Sequence, residues 1–448
     1  MGIRLDWEIE AEREHHQQSG GEDPENRRKR RRARTRFFIV LFVMLGLVGS
    51  AVGVVVVRLH QVEAETEQVV SDTVTAEVAT LRVGDREAFL DMQRSATTEW
   101  TQQQDATFAR YQALKQTTDV NLSGRIIDVQ VDGSRARVQL EEIIGGVPYG
   151  RVWFYWHYDD GWRHVPPDYT FWGDAQTATA DGVLVKYDAV DETVGQAIAP
   201  RVAAWLKIGC AALGCSNLPS LTVEIVPDPT QEIAWSSSDA WTLEMPSPYI
   251  TSARLDEPFD SGTQIKVATV IAERLVGDFN PTYPADAYYL RQAIVSWLVK
   301  RFAEVETNSF LISSFAAQFG DPAVGRLLQA LKPDSNVGVM SQVAGMSLDA
   351  ASLDWRDFLT WRLTVENELI TRQDQTDFLE LYDPSLRDQA IARYNAGGST
   401  DQRTVVSAVP EQNNGTAQLR AVVQVGNPST KQEEVVFRLI DGVWKRAS

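Results

Sequence analysis

The stretch VIAERLVGDF, residues 270–279, carries Ala272, Leu275 and Val276 at the spacing of one helix face, with Ala268 a turn earlier. A hydrocarbon stripe of that period is normally turned into a core. A second apolar helix follows in SWLVKRFAE, residues 296–304. Upstream, GVLVKYDA, SLTVEIVPD and WTLEMPSPYITSA read as strands, and VGQAIAPRVAAWLKIGCAALG, between the first two, as a helix. Downstream, SFAAQFGDPAVGRLLQALK and VGVMSQVAGMSLDAASLDWRDFL read as shorter helices. Together these segments predict an α+β unit over residues 179–362.

On either side of that unit the order is helices first and strands afterwards. Residues 62–118 have helical spacing in VVSDTVTAEVATL and FLDMQRSATTEWTQQQDATFARYQALK, with Gly84 and Asp85 as stop and start signals between them. The period then changes to two in SGRIIDVQVDGSRARVQLEEII and GRVWFYWHYDDGWRHV, whose VDGS and DDGW segments are hairpin turns. The end of the chain repeats this plan. Helices in LDWRDFLTWRLTVENELITRQDQTDFLELYD and PSLRDQAIARYN precede strands in RTVVSAVPE, AQLRAVVQVG and EEVVFRLIDGVWKRAS. The two segments also end alike: FYWHYDDGWRHV (154–165) and VFRLIDGVWKRA (436–447) each combine a strand, an Asp-Gly turn, a tryptophan and a basic residue.

Residues 37–57, FFIVLFVMLGLVGSAVGVVVV, hold no charge and match the ~20 residues that span a bilayer as helix. RRKRRRARTR, Arg27 to Arg36, precedes them. The apolar run exceeds the ~7–15 residues of a signal peptide, so the sequence predicts an uncleaved single-pass anchor in the cell membrane. The positive-inside rule keeps residues 1–36, a largely disordered tail with a short LDWEIEAERE helix, in the cytoplasm. Everything after Arg58 is then extracytoplasmic. Gly49 and Gly53 form a GxxxG spacing through which two such helices can approach. Up to Arg58 there are 11 basic and 8 acidic residues; the remainder holds 32 against 53, a balance of -21. So acidic an ectodomain repels phosphate backbones, and no nucleic-acid partner is expected. Cys210 and Cys215, five residues apart, read equally well as a disulfide or as two packed thiols.

The element order over residues 179–362, with the two helical segments quoted first, resembles the gluzincin, or peptidase MA-like, catalytic domain. In that family one helix carries HExxH, whose histidines bind zinc while the glutamate activates the zinc-bound water. A later helix carries a pattern close to WLxEGxAE, whose first glutamate is the third ligand. The resemblance places HExxH on Ala272-Glu273-Arg274-Leu275-Val276 and the second pattern on Trp297 to Glu304. The flanking segments, 58–178 and 363–448, resemble the nuclear transport factor 2-like cone fold, also seen in SnoaL-type proteins. The implied fold class is α+β: one transmembrane helix, a first cone domain, a gluzincin-like domain and a second cone domain.

Each former metal-ligand position has the wrong chemistry. Ala272 and Val276 have no lone pair to donate, and Lys300 puts a cation where a carboxylate belongs. Glu273 alone survives, as a vestige. No histidine follows His164. Without a Lewis acid, Glu273 faces water of pKa ~15.7 instead of ~7 on zinc. The expectation is therefore no metal, no cofactor and no gluzincin-type hydrolysis. Two readings of Glu273 and Lys300 stay open: a buried charge pair at the vacated metal position, or two solvated residues on adjacent helices. In the first cone domain, Trp153, Tyr155, His157 and His164 either line a pocket in the curled sheet or have a structural or solvent-facing role near the hairpin tip. GxSxG, Walker A and GxGxxG motifs are missing. The expected function is a pseudo-peptidase that binds or scaffolds a protein or peptide partner outside the cell. The alternatives are a divergent hydrolase using another site and a passive structural envelope subunit.

Overall fold

The structure, a computed structural model, describes residues 24–117, 119–277, 283–348, 351–398, 401–413, 416–426 and 431–448. The head expected over residues 1–23 lies outside the described residues. Helix α1, Pro24–Val83, runs for 60 residues, about 90 Å at 1.5 Å per residue. Among the described residues it is the one helix long and apolar enough to cross a membrane, and its most apolar part is wholly unburied. The basic run Arg27–Arg36, expected within a disordered tail, is helical here. Arginine is a good helix former, and no glycine interrupts the chain between Pro24 and Gly46.

The far end of α1 enters a core through Val70, Val74, Val78 and Leu81, one helix face. Gly84, at φ +85, ends it, and the Asp85 carboxylate caps α2 (Arg86–Asp91) by accepting from the Ala88 N–H at 3.0 Å. Helix α3 is Thr98–Thr117. The sequence reads α2 and α3 as one helix. They are separated because the backbone around Gln93 leaves helical geometry to pair with His164 in the sheet below.

That sheet contains β1 (Val120–Asn121), β2 (Ile126–Asp132), β3 (Arg135–Ile144), β4 (Val147–Tyr158) and β5 (Gly161–Val165), all antiparallel, curled into a half-barrel. Hairpins fall at the two turns expected from sequence, since Asp132 pairs with Arg135 and Tyr158 with Gly161. Ala136, Val138, Leu140 and Tyr155 cover the inner face and pack on α1 and α3.

A second, mixed sheet follows, built from β6 (Ala175–Ala180), β7 (Val183–Asp188), β8 (Leu221–Val226), β9 (Ala234–Trp235) and β10 (Thr242–Pro246) in the order 6-7-8-10-9. β7, β8 and β10 are parallel; β6 and β9 are antiparallel edges. The Ala/Thr alternation of β6 carries too little hydrophobic contrast to be read as a strand, and it spans the boundary expected at 178/179. Helix α4 (Glu192–Leu213) connects β7 to β8. Cys210 in its last turn is disulfide-bonded to Cys215, which resolves the alternative left open above. A two-residue strand, β11 (Ala253–Arg254), leaves this unit and pairs with β4 of the first sheet.

Helices α5 (Ser261–Val276), α6 (Asp286–Ala303), α7 (Phe310–Phe319), α8 (Asp321–Ala330), α9 (Val339–Ala344) and α10 (Arg356–Thr371) come next. The segment read as one helix over 314–332 is broken at Gly320, whose φ of +83 leaves the helical region before α8 starts at Asp321 with Pro322 in its first turn. α10 runs without a break through the boundary expected at 362/363. Helices α11 (Gln375–Glu380) and α12 (Arg387–Ala396) then lead to an antiparallel meander of β12 (Arg403–Asn413), β13 (Thr416–Val425), β14 (Lys431–Ile440) and β15 (Val443–Arg446).

One apolar core crosses all three units. It takes Phe154, Val165 and Trp172 from the outer side of the first sheet, both faces of α4, and Leu419, Phe437 and Trp444 from the meander. Buried polar groups pin the joints. Asp191, with no exposed surface, accepts from Trp172 Nε1 at 2.8 Å and Ser247 Oγ at 2.6 Å. Asp286, at the start of α6, pairs with Arg362 of α10 and accepts from the Val337 N–H at 3.0 Å.

Burial pushes the Asp191 carboxyl from its ordinary 3.8 up to about 6. Between those values the folded chain keeps a proton the unfolded chain has released, so this group's contribution to stability falls as pH rises from about 4 to 6. Asp191→Asn should remove that slope. The unfolding free energy of the variant minus that of the wild type is expected to rise by about 3 kcal/mol between pH 4 and 7, at ~1.4 kcal/mol per pKa unit. Urea denaturation across that range measures it, and parallel curves would show that Asp191 does not titrate there.

Candidate functional site

The two helices that decide the reading of the middle unit are well defined. Asp260 caps α5, accepting from the N–H groups of Gly262 and Thr263 at 2.9 and 3.1 Å. Val267, Ala268, Ile271, Ala272 and Val276 then face the core. Ala272 has no exposed surface and Val276 is almost as enclosed. Leu275 reaches α4, where a Cβ at Gly209 would stand 2.6 Å from its methyl group. Trp205 closes the far side, donating from Nε1 to the Phe302 carbonyl at 2.5 Å.

Glu273 sits about 100° round the helix from Ala272 and is exposed to solvent. Lys300 is half-buried on α6 and donates to Glu306 at 2.9 Å. The buried Glu273–Lys300 pair offered by the sequence is therefore not formed. The face of α5 that meets α6 is hydrocarbon, and residue 273 is turned away from it. Among the described residues no three His, Cys, Asp or Glu side chains come together in a set able to hold a metal ion.

The four aromatic-hairpin residues separate. His157 is exposed near the hairpin tip, edge-on to Trp162. His164 is buried, the structural alternative of the two offered by the sequence, whereas His157 takes the solvent-facing one. Its ring stacks on Trp153 and Tyr155, with centroids 5.0 and 5.1 Å away, and meets Trp100 edge-on at 5.4 Å. His164 Nδ1 lies 2.7 Å from Oε1 of Glu77, a residue with no exposed surface. Glu77 also accepts from Tyr155 OH at 2.7 Å and from Gln93 Nε2 at 2.8 Å. Burial beside this carboxylate raises the Tyr155 phenol well above its ordinary 10.

A His–Glu–Tyr cluster can in principle move protons, and the last unit holds a counterpart built around an arginine. There Glu366 of α10 is equally buried and pairs with Arg446 of β15 at 3.0 Å, and with Arg393 of α12. His164 and Arg446 are equivalent, each two residues after a buried tryptophan, Trp162 or Trp444. Each also forms the same backbone bridge to the segment after a short helix, His164 with Gln93 and Arg446 with Tyr382. A guanidinium stays protonated and cannot act as acid or base. What the two sites share is a buried carboxylate that ties the first helix of a unit to its last strand.

Sequence reasoning missed both glutamates. The available signal is that Glu77 is the charged residue inside the stripe Val70, Val74, Val78 and Leu81, and Glu366 stands likewise between Leu363 and Leu369. No family model, curated protein or solved structure matches this chain.

Removing one partner of a buried charged cluster leaves the others without compensation, at ~3–5 kcal/mol. Glu77→Ala should lower the unfolding free energy by that order, and His164→Gln by less, since an amide still donates a hydrogen bond. Urea midpoints followed by tryptophan emission give both numbers. A wild-type midpoint for Glu77→Ala would rule out the clasp.

Proposed function

We propose that this chain is a membrane-anchored extracytoplasmic protein whose middle unit is a non-catalytic, gluzincin-like pseudo-peptidase acting as a binding or scaffold module. One observation carries the reading. At the positions where the family's zinc-binding histidines would stand, Ala272 and Val276 are packed into the core, while Glu273 faces solvent and Lys300 is engaged with Glu306. A water-activating site needs these groups to converge on an ion; here they diverge. The parallel strands with antiparallel edges beneath α4 and α5 are compatible with the same family, and the half-barrel and the final meander with cone domains.

The anchor reading draws on the uncharged stretch 37–57 in α1 and the basic run before it. From Arg58 the same helix continues unbroken to the first buried residue, Val70. The ectodomain would thus stand off the bilayer on a rigid stalk of about 18 Å. Gly49 and Gly53 lie on the membrane part of α1, and nothing approaches Gly53 within 4 Å. Two copies could pack there.

The test is metal content together with hydrolysis, on the full chain purified in detergent with zinc present. Substoichiometric zinc after dialysis, and no peptide cleavage sensitive to Glu273→Gln, are expected. One zinc per chain with cleavage lost in Glu273→Gln would reinstate a peptidase. Cleavage insensitive to that change would move the activity to another site.

A further inference from the structure

A cavity of about 520 Å³ lies at the joint between the first sheet and the second unit, a volume typical of small-molecule sites. Its floor is the outer face of β2 and β3, where Arg137 and Gln139 alternate with the core residues of the inner face. Its walls are the chain around Gly173, the start of α4, and Tyr249. Both sides are needed to make it.

Arg137 is 3% exposed and lines this cavity. Its guanidinium has five donors but makes two hydrogen bonds, Nη2 in an ion pair with Asp128 at 3.2 Å and Nη1 to the Phe171 carbonyl at 3.4 Å, while its carbon lies 5.7 Å from the centre of the Phe171 ring. Its Nε is buried without a partner. A buried guanidinium with donors left unused favours any group that brings it an oxygen. Gly173 leaves Nη1 uncovered, since a Cβ there would stand 3.1 Å from it. Tyr249 is brought in because Gly150 has no side chain: a Cβ would meet its ring at 2.7 Å. The Tyr249 hydroxyl then sits 3.3 Å from Thr193 Oγ1, a further polar group at the wall.

The rim has the opposite character. Asp128, Asp174 and Glu192 set three carboxylates against the one guanidinium, and the last two are exposed. An excess of negative charge repels phosphates, nucleotides and dicarboxylates and favours a ligand with a net positive charge. The oxygen demanded by Arg137 and the cations demanded by the rim belong to one kind of molecule.

We propose that this cavity binds a small basic amino acid, or a short peptide ending in one, with its carboxylate on Arg137 and its ammonium groups on Asp174 and Glu192. Because floor and walls come from different units, the bound ligand also clamps the joint. The site deepens the binding role proposed above but does not rest on the lost zinc centre, and metal content has no bearing on its test.

Calorimetric titration of the full chain in detergent with L-lysine, L-alanine, L-glutamate and sucrose tests the assignment. Saturable L-lysine binding is expected, roughly tenfold tighter than L-alanine for each added ionic contact, with L-glutamate and sucrose giving only heats of dilution. Asp174→Asn with Glu192→Gln alters two exposed groups and should abolish the preference for lysine over alanine. Arg137→Gln should weaken both amino acids by at least about tenfold while 1,5-diaminopentane binds as to the wild type. Should Arg137→Gln fail to fold, judged by its thermal unfolding, the rim double variant decides. No saturable lysine binding, glutamate bound as tightly as lysine, sucrose bound instead, or a rim double variant that keeps the preference would each overturn the proposal.

Discussion

Glu77 has no exposed surface, and a carboxylate there is tolerable only while Tyr155, Gln93 and His164 all bond it. Those three groups come from β4, from the segment after α2 and from β5, so one side chain on α1 fixes the place of every layer of the first unit. The direction of the constraint matters. A hydrophobic contact tolerates sliding by part of a turn, whereas a buried carboxylate with three short hydrogen bonds does not. Glu366 imposes the same condition on α10, α12 and β15. Two units of unequal length and little common sequence thus share a device as well as an order of elements.

These clasps explain why the three units form one frame. α1 and α10 each begin outside the unit they clasp, one in the long apolar N-terminal segment and the other against α6 through Asp286 and Arg362. Fixing such a helix at its clasp therefore also fixes whatever lies at its other end. The shared core does the rest, since Phe154 of the first sheet and Phe437 of the last belong to the same hydrophobic cluster. β11, donated by the second unit to the edge of β4, adds backbone pairing to that seam.

Much of this was legible in the sequence because it is written in periods. Apolar residues at helical spacing gave α1, α4, α5 and α6, and alternation with Asp-Gly turns gave the hairpins of both outer units. The failures have physical causes. β6 alternates alanine with threonine, a contrast too small to register. Residues 92–97 lie in a helical pattern but spend their backbone bonds on His164, a tertiary choice that local periodicity cannot anticipate. The unit boundaries were set where the pattern changed, yet β6 and α10 run straight across them. At the candidate sites, residue identity showed that Ala272, Val276 and Lys300 offer no lone pair for a metal at neutral pH, but not that Glu273 points outward and Lys300 turns to Glu306. The partner of His164 was invisible for a different reason. Glu77 is 87 residues away, and only its presence in an apolar stripe hints that something must neutralise it.

The same physics separates the two places where a ligand could be sought. Around α5 and α6 the positions of Ala272 and Val276 are closed by methyl and methylene groups, so a polar ligand would gain little by entering between them. At the joint beneath the first sheet, burial has been imposed on Arg137 without supplying the acceptors that burial requires. Rigid flanking units keep that shortfall in place, because neither sheet nor helix can relax to cover it while the shared core holds. A frame that prevents its own polar groups from pairing leaves them for something else to satisfy. The unmet hydrogen-bonding capacity of Arg137 lies at the seam between units, away from the packed face shared by α5 and α6.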